Sequence, residues 1–425
     1  MDEQGVLPGT TGRSLIVMRE DAVRAAVEAV SNVAGMTVAD ASEVATPTNP
    51  HPEHADAMLF TELGVMVANV PPDQLGAVGA MAANGESGVL AIEPERVVYA
   101  IAEGWPGNAL LGSVGDYPRG YRDGVSDLVE RLLLLAETPP PDETELTWGV
   151  QVTNVGVSRF SGRGVRVAVL DTGLDLDHPD FVGRAITTES FVAGEEVQDG
   201  HGHGTHCIGT ACGPKQPGQL PRYGVAYEAE IYAGKVLNNR GSGTDGEILA
   251  GIQWAVQHGC AVASMSLGAP VLPDEPYSTV FELAAQRALA RGALIVAAAG
   301  NDSARPASIQ PVSHPANCPS IMAVGALDPE LLVASFSSGG INPDGGDVDI
   351  AAPGVRVRSS WPRPILYRTI NGTSMATPHV AGVAGLLAEA NSEARGRDLW
   401  ELVVRGVRPL PAPPRDIGAG LVQAP

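Results

Sequence analysis

Val165-Arg166-Val167-Ala168-Val169-Leu170-Asp171-Thr172-Gly173 decides the fold class. A β-branched, apolar run stops abruptly at an acid and a glycine. It reads as a strand covered on both faces rather than as a half-solvated one. Runs of the same kind follow at Glu230–Leu237, Ala261–Leu267, Ala293–Ala299 and Ile321–Ala326, with helical patterns at Gly246–His258 and Thr279–Ala290. This alternation predicts an α/β domain from about Trp148 onward, a parallel β-sheet sandwiched by helices. Asp171 then lies at the C-terminal end of a strand, where open α/β sheets place their sites.

Upstream, residues 13–101 read as a separate small α+β unit. Arg13–Arg19 is a strand; Val23, Ala26, Val27, Val30 and Val33 recur at helical spacing until Gly35. Met36–Ala39 reads as a second strand, Asp40–Ala57 as a loop and Leu63–Val70 as a third strand. A second helix carries Leu75, Val78 and Met81, and Val89–Ile92 and Arg96–Tyr99 are the last extended segments. The order β-α-β-β-α-β is ferredoxin-like, a fold that specifies no chemistry. Residues 1–12 read as a disordered N-terminus. Residues 102–145 read as a linker with one amphipathic helix over Val125–Ala136. The main domain is 146–425.

Composition narrows the partners. The chain of 425 residues is 44% apolar and 18% charged, so it can bury large cores, built from Ala, Val, Leu and Ile. The net charge of -22, concentrated in a lysine-free stretch over 1–143, disfavours nucleic acid and anionic membrane. No apolar run approaches the roughly 18 residues of a membrane span. The first 20 residues lack the pattern of a secretory signal, so the expected location is the cytoplasm or export by a route this chain does not display. Cys207, Cys212, Cys260 and Cys318 are too few and too spread for a disulfide scaffold or a zinc site. They are expected as buried thiols, with a Cys260–Cys318 bridge as the alternative.

Two further stretches carry chemistry-bearing side chains. Asp199-Gly200-His201-Gly202-His203-Gly204-Thr205-His206-Cys207 sets histidines among glycines at the start of a helix of small residues. The next helix adds no Cys, Asp or Glu that would complete a metal site. Asn371-Gly372-Thr373-Ser374-Met375-Ala376-Thr377-Pro378-His379-Val380-Ala381-Gly382 runs a polar turn into a buried helix. Taken alone, Ser374 is equally a helix cap or a nucleophile. With Asp171 and His203 a chemical logic appears. A serine hydroxyl needs a base, histidine has the pKa for that role, and a carboxylate fixes its tautomer. The chain order Asp…His…Ser is one of three known for this constellation.

These three motifs resemble the signatures of the subtilisin-like serine proteases (subtilases, peptidase S8 type), over about Trp148 to Leu421. The resemblance implies a serine endopeptidase, a hydrolase made as a zymogen, that acts on extended or unfolded proteins through an acyl-enzyme. Asp171 would orient His203, His203 would be base and then acid, and Ser374 would be the nucleophile. Ala299-Gly300-Asn301 is similar to the segment that supplies the oxyanion-hole amide, so Asn301 would donate beside the Ser374 N–H. Ser266-Leu267-Gly268 and Gly241-Ser242-Gly243 look like two edges that pair with a substrate strand. Asp245 stands where an S4 lining residue often lies and Asp302 flanks the S1 rim, which implies tolerance of basic or polar side chains there.

Residues 13–101 resemble the propeptide that acts as an intramolecular inhibitor in this family, on the element order and on Glu93-Pro94-Glu95-Arg96-Val97-Val98-Tyr99-Ala100. About 45 residues separate it from the main domain, so cleavage near Ile101, cleavage near Glu143 and no cleavage all stay open. No cofactor is implied for catalysis. Asp180 matches a structural calcium ligand, but Gly213-Pro214-Lys215-Gln216-Pro217-Gly218 replaces the Asn-rich loop that completes the site; solvated loop acids are the alternative. Cys207 after His206 matches the thiol-containing branch. The implied partners are protein or peptide substrates and the propeptide, with no nucleic acid, no membrane and a monomeric state. A catalytically silent peptide-binding homologue is the rival reading.

Overall fold

The computed structural model describes residues 9–41, 55–84, 87–101 and 142–425. The expected helix over Val125–Ala136 lies outside them. The first unit runs β1 (Thr10–Met18), α1 (Val23–Ala34), β2 (Val38–Asp40), β3 (Ala57–Phe60), β4 (Val65–Ala68), α2 (Leu75–Asn84) and β5 (Val89–Ala100). The main domain continues with α3 (Trp148–Val152), β6 (Arg166–Asp171), β7 (Ile186–Ser190), α4 (His203–Cys212), β8 (Glu230–Lys235), β9 (Ser242–Thr244), α5 (Asp245–Gln257), β10 (Val262–Met265) and β11 (Leu267–Gly268). It closes with α6 (Thr279–Ala290), β12 (Leu294–Ala298), β13 (Met322–Leu327), β14 (Ile350–Pro353), β15 (Val357–Trp361), β16 (Leu366–Ile370), α7 (Thr373–Ala390), α8 (Gly396–Arg405) and α9 (Pro414–Ile417).

Seven strands form the central sheet in the order β14-β13-β12-β10-β6-β8-β7, and every pair in it is parallel. Strand periodicity divides β6 between two cores. Val167 and Val169 face a cluster with Ile208 of α4 and Val380 and Val383 of α7. Ala168 and Leu170 face Ile248 of α5 and Phe281 of α6. Each fully buried Val or Leu contributes about 1.5–3 kcal/mol of apolar transfer, before entropy. The helix α7 is buried on all sides from Thr373 to Ala388, which is why its sequence shows small and apolar residues without a polar stripe. Local signals start the flanking helices. Thr244 and Glu247 form a reciprocal capping box on α5, and Ser278 caps α6 through Phe281 N–H.

The first unit has the strand order β5-β1-β4-β3-β2. The second strand, expected over Met36–Ala39, falls at Val38–Asp40 as a short edge strand, and an unexpected third strand follows at Ala57–Phe60. Only Ala57 of it falls in the stretch read as a loop; Met58, Leu59 and Phe60 lie just beyond, and all four are buried and pair antiparallel with β4. Thr10 already belongs to β1, so order begins before residue 13. The two expected segments after α2 are one strand, Val89–Ala100. One sheet face (Leu15, Val17, Val65, Val67) packs into the core that contains α5 and α6. The other (Ile16, Met18, Met66, Ala68) packs on α1 and α2. Between units, the Arg287 guanidinium of α6 donates to the carbonyls of Leu63 and Met18.

Candidate active site

Asp171 ends β6 and is fully buried; its Oδ1 accepts from the Thr172 N–H at 2.7 Å. His203 opens α4, and its Nδ1 lies 2.8 and 3.0 Å from the two Asp171 oxygens. A carboxylate can only accept here, so Nδ1 carries the proton and Nε2 is left as the basic nitrogen. Burial disfavours the imidazolium, yet the Asp171 carboxylate holds the His203 pKa well above 6.5. His203 Nε2 takes no hydrogen bond among the described residues.

Asp199 fixes the entry to α4, a role that sequence reading missed. Its carboxylate accepts from the N–H groups of His201, Gly202 and Thr205 and from the hydroxyls of Thr172 and Thr205. It thereby ties the turn after β6 to the first turn of α4, and so aligns Asp171 with His203. The available signal was an acid followed by alternating glycines, a pattern that leaves many N–H groups in need of one acceptor.

Ser374 is the second residue of α7 and is buried. Its Oγ donates to Ser266 O at 3.0 Å, while Ser266 Oγ donates back to Ser374 O at 2.8 Å. Cys207 Sγ lies 3.8 Å from His203 Nδ1 and 3.5 Å from Ser374 O, which places the thiol between the His203 ring and the Ser374 main chain. Burial pushes the Cys207 thiol up to about 11, so it remains a thiol.

Asn301 is held with its amide nitrogen turned into the cleft, because its Oδ1 accepts from Thr373 N (2.9 Å) and Thr373 Oγ1 (2.8 Å). Nδ2 then donates to the main-chain carbonyl of Ile101 at 3.1 Å. Ala299 and Gly300, expected at the substrate edge, act as its mounting. Ala299 bonds to Val324 and Ser313 through its main chain, and Gly300 N donates to Thr373 Oγ1. Gly300 has φ +111°, and a Cβ there would collide with Ser313 Oγ.

The cleft is occupied by β5. Tyr99 pairs with Ser242 and Val98 with Gly243 on β9, while Ala100 pairs with Leu267 and Tyr99 with Gly268 on β11. Gly268 is required by this approach, since a Cβ would lie 2.5 Å from His314 O and 2.9 Å from Ile101 Cδ1. Ala100 N donates to Gly241 O and Ile101 N to Ser266 O. Val98, fourth from the end at Ile101, is fully buried in the apolar core. Asp245 accepts from Arg96 N instead of facing that side chain. Asp302 turns to Ser313 Oγ at 3.3 Å, and burial raises its carboxyl above the usual range.

Calcium is not accommodated at Asp180. Its oxygens accept from Tyr223 OH (2.5 Å), Tyr367 OH (3.1 and 3.2 Å) and Gly218 N (2.7 Å). A hard cation needs those lone pairs and repels the donor hydrogens. Burial and the Asp180 charge push the Tyr223 phenol well above 10, so it stays a donor. Arg358 stacks on the Tyr367 ring, which adds a fixed positive charge. All four cysteines are buried and free, so Cys260 and Cys318 are not bridged.

The model described as Subtilase family matches residues 162–420, a span that includes Asp171, His203, Asn301 and Ser374. The chain belongs to the subtilase family. It is 43% identical over 261 residues to M-protease of Shouchella clausii (strain KSM-K16), covering 59% of this subtilase and 63% of that protein. To Subtilisin Savinase of Lederbergia lenta it is 44% identical over 248 residues, covering 57% of this chain and 84% of the relative. Among solved structures, Sphericase matches with a TM-score of 0.54 and 32% identity, over 63% of this chain and 91% of that one. The chain thus spans about 63% of M-protease's length, and the shared span contains the subtilase domain. Among the described residues no helix is long and apolar enough to cross a membrane.

Proposed function

We propose that the protein is a serine endopeptidase that hydrolyses peptide bonds of extended polypeptides and is made as a zymogen. One observation carries this reading: the carbonyl of Ile101 sits at Asn301 Nδ2 while the strand leading to it pairs with both cleft edges. That is how a substrate's scissile carbonyl would be presented. In the reaction, the Ser374 hydroxyl gives its proton to His203 Nε2 as Oγ bonds to the carbonyl carbon. The oxyanion is stabilised by Asn301 Nδ2 and the Ser374 N–H. His203 then passes the proton to the leaving amine as the C–N bond breaks, and water resolves the acyl-enzyme by the reverse sequence.

Recognition through main-chain pairing selects extended chain and makes few demands on side chains. Residues 9–101 act as the intramolecular inhibitor in this reading. Glu93 caps α6 by accepting from Thr279 N and Ser278 Oγ, and the buried Glu95 accepts from Gly246 N on α5 and from Arg13. Acids at two helix N-termini anchor the strand on either side of its path. Self-cleavage falls between Ile101 and Ala102.

A fluorophosphonate probe should label the incubated wild-type chain at Ser374 and leave Ser374→Ala unlabelled. Wild type that stays unlabelled after residues 9–101 have been removed points instead to a silent peptide-binding homologue.

A further inference from the structure

Five residues before Ile101, the strand in the cleft exchanges main-chain pairing for a side-chain acceptor. Ala100 and Ile101 donate to the main-chain carbonyls of Gly241 and Ser266, and Val97 donates to Gly9 O within its own unit. Arg96 N donates to Asp245 Oδ2 at 2.9 Å. Asp245 is fully buried as the first residue of α5, where the helix dipole favours its charge. Its other oxygen lies 2.9 Å from Nε2 of the buried His314.

His314 is built into the cleft wall. Its main chain exchanges two 2.9 Å hydrogen bonds with Ala269, the residue after β11, and its ring stands edge-on to Phe281 with centroids 4.6 Å apart. Its Nδ1 takes no hydrogen bond among the described residues, so Asp245 is the group that orients the ring. The Arg96 guanidinium reaches Glu275 Oε1 at 3.6 Å. Nothing in this arrangement touches the reacting atoms.

We infer that Asp245, oriented by His314, and Glu275 form a distal subsite for the sixth substrate residue counted back from the cleaved bond. Asp245 takes that residue's main-chain N–H, and Glu275 favours a basic side chain on it. This rests on the endopeptidase reading and adds a length requirement: pairing at Gly241 and Ser266 alone would be satisfied by a shorter peptide. It also reassigns Asp245, which reads an amide two residues beyond Val98 rather than the side chain at that position.

The test uses the full chain, incubated until it turns over a fluorogenic Val-Tyr-Ala-Ile substrate. An acetylated Arg-Val-Val-Tyr-Ala-Ile substrate should show kcat/KM about ten-fold or more higher, the scale of one hydrogen bond to a charged group. Replacing the arginine N–H with an ester oxygen should remove most of that gain in the wild-type enzyme, with no mutation that could disturb folding. Asp245→Ala should lower the hexapeptide-to-tetrapeptide ratio, and Glu275→Gln should lower only the preference for Arg over Gly at the sixth position. Turnover of both lengths at equal kcat/KM, or equal rates for amide and ester, overturns the subsite while leaving the endopeptidase intact. A chain that hydrolyses neither peptide overturns both.

Discussion

Asn301 Nδ2 lies 3.1 Å from the main-chain carbonyl of Ile101, and the same Asn301 receives two hydrogen bonds from Thr373, the residue before Ser374. The turn that presents the serine therefore also aims the amide. Asn301→Ala should lower kcat by about 10²–10³, or about 2.7–4 kcal/mol, a magnitude carried over from subtilisin itself. KM should change little, because the donor acts on charge that develops in the transition state. Thr373→Val, which keeps the N–H and removes the hydroxyl, should give a smaller loss of the same kind. Steady-state kinetics on one peptide would separate them, and a loss confined to KM would contradict the assignment.

The pH profile follows from His203. Burial works against its charged form, but the Asp171 carboxylate outweighs that and raises its pKa well above 6.5. The base must be neutral to accept the serine proton, so kcat/KM should rise with pH through a value above 6.5 and vanish as pH falls below it. Asp171→Asn removes the largest raising influence and the tautomer control together. It should move the acid limb down and cut kcat by about 10⁴. A wild-type acid limb at or under 6.5 would show that the dyad does not act as described.

Mass spectrometry of the incubated chain should reveal a new C-terminus at Ile101 and a new N-terminus at Ala102. Ser374→Ala should stay intact under the same conditions. A cut near Glu143 with none after Ile101 would mean that the strand in the cleft is held without being presented for cleavage.

Chelation should leave thermal stability unchanged as far as Asp180 is concerned, since phenol and amide hydrogens occupy its oxygens. Tyr223→Phe leaves a buried carboxylate one donor short and should cost about 1–3 kcal/mol. Calorimetry with and without calcium and with EDTA checks both. A midpoint that rises with calcium in wild type and is insensitive to it in Asp180→Asn would reverse the reading.

Met375 follows Ser374 and is fully buried, with its Sδ beside the Gly372 turn. Oxidation to the sulfoxide adds a polar oxygen to that site, so peroxide should inactivate the processed enzyme. Met375→Leu should resist. Equal sensitivity of the two would place the damage elsewhere.

Much of this protein was legible in its residues. The apolar run ending at Asp171 announces a buried parallel strand, because both faces of such a strand must be covered and the pattern cannot alternate. Asp171, His203, Asn301 and Ser374 stand in motifs whose small neighbours allow close approach. In the first unit both helices and most strands were readable, but the observed order has a fifth strand, Ala57–Phe60, that escaped between the loop read over Asp40–Ala57 and the strand read over Leu63–Val70. Tertiary structure alone decided how side chains spend their lone pairs and hydrogens. Asp180 looks like a cation ligand until Tyr223 and Tyr367 arrive from distant segments to donate to it. Asp245 looks like a pocket lining until Arg96 N and His314 Nε2 claim its two oxygens. Sequence spacing states which groups a chain owns; which donor meets which acceptor depends on contacts that span 43 to 187 residues here, and those exist only once the sheet, the helices and the strand through the cleft are in place.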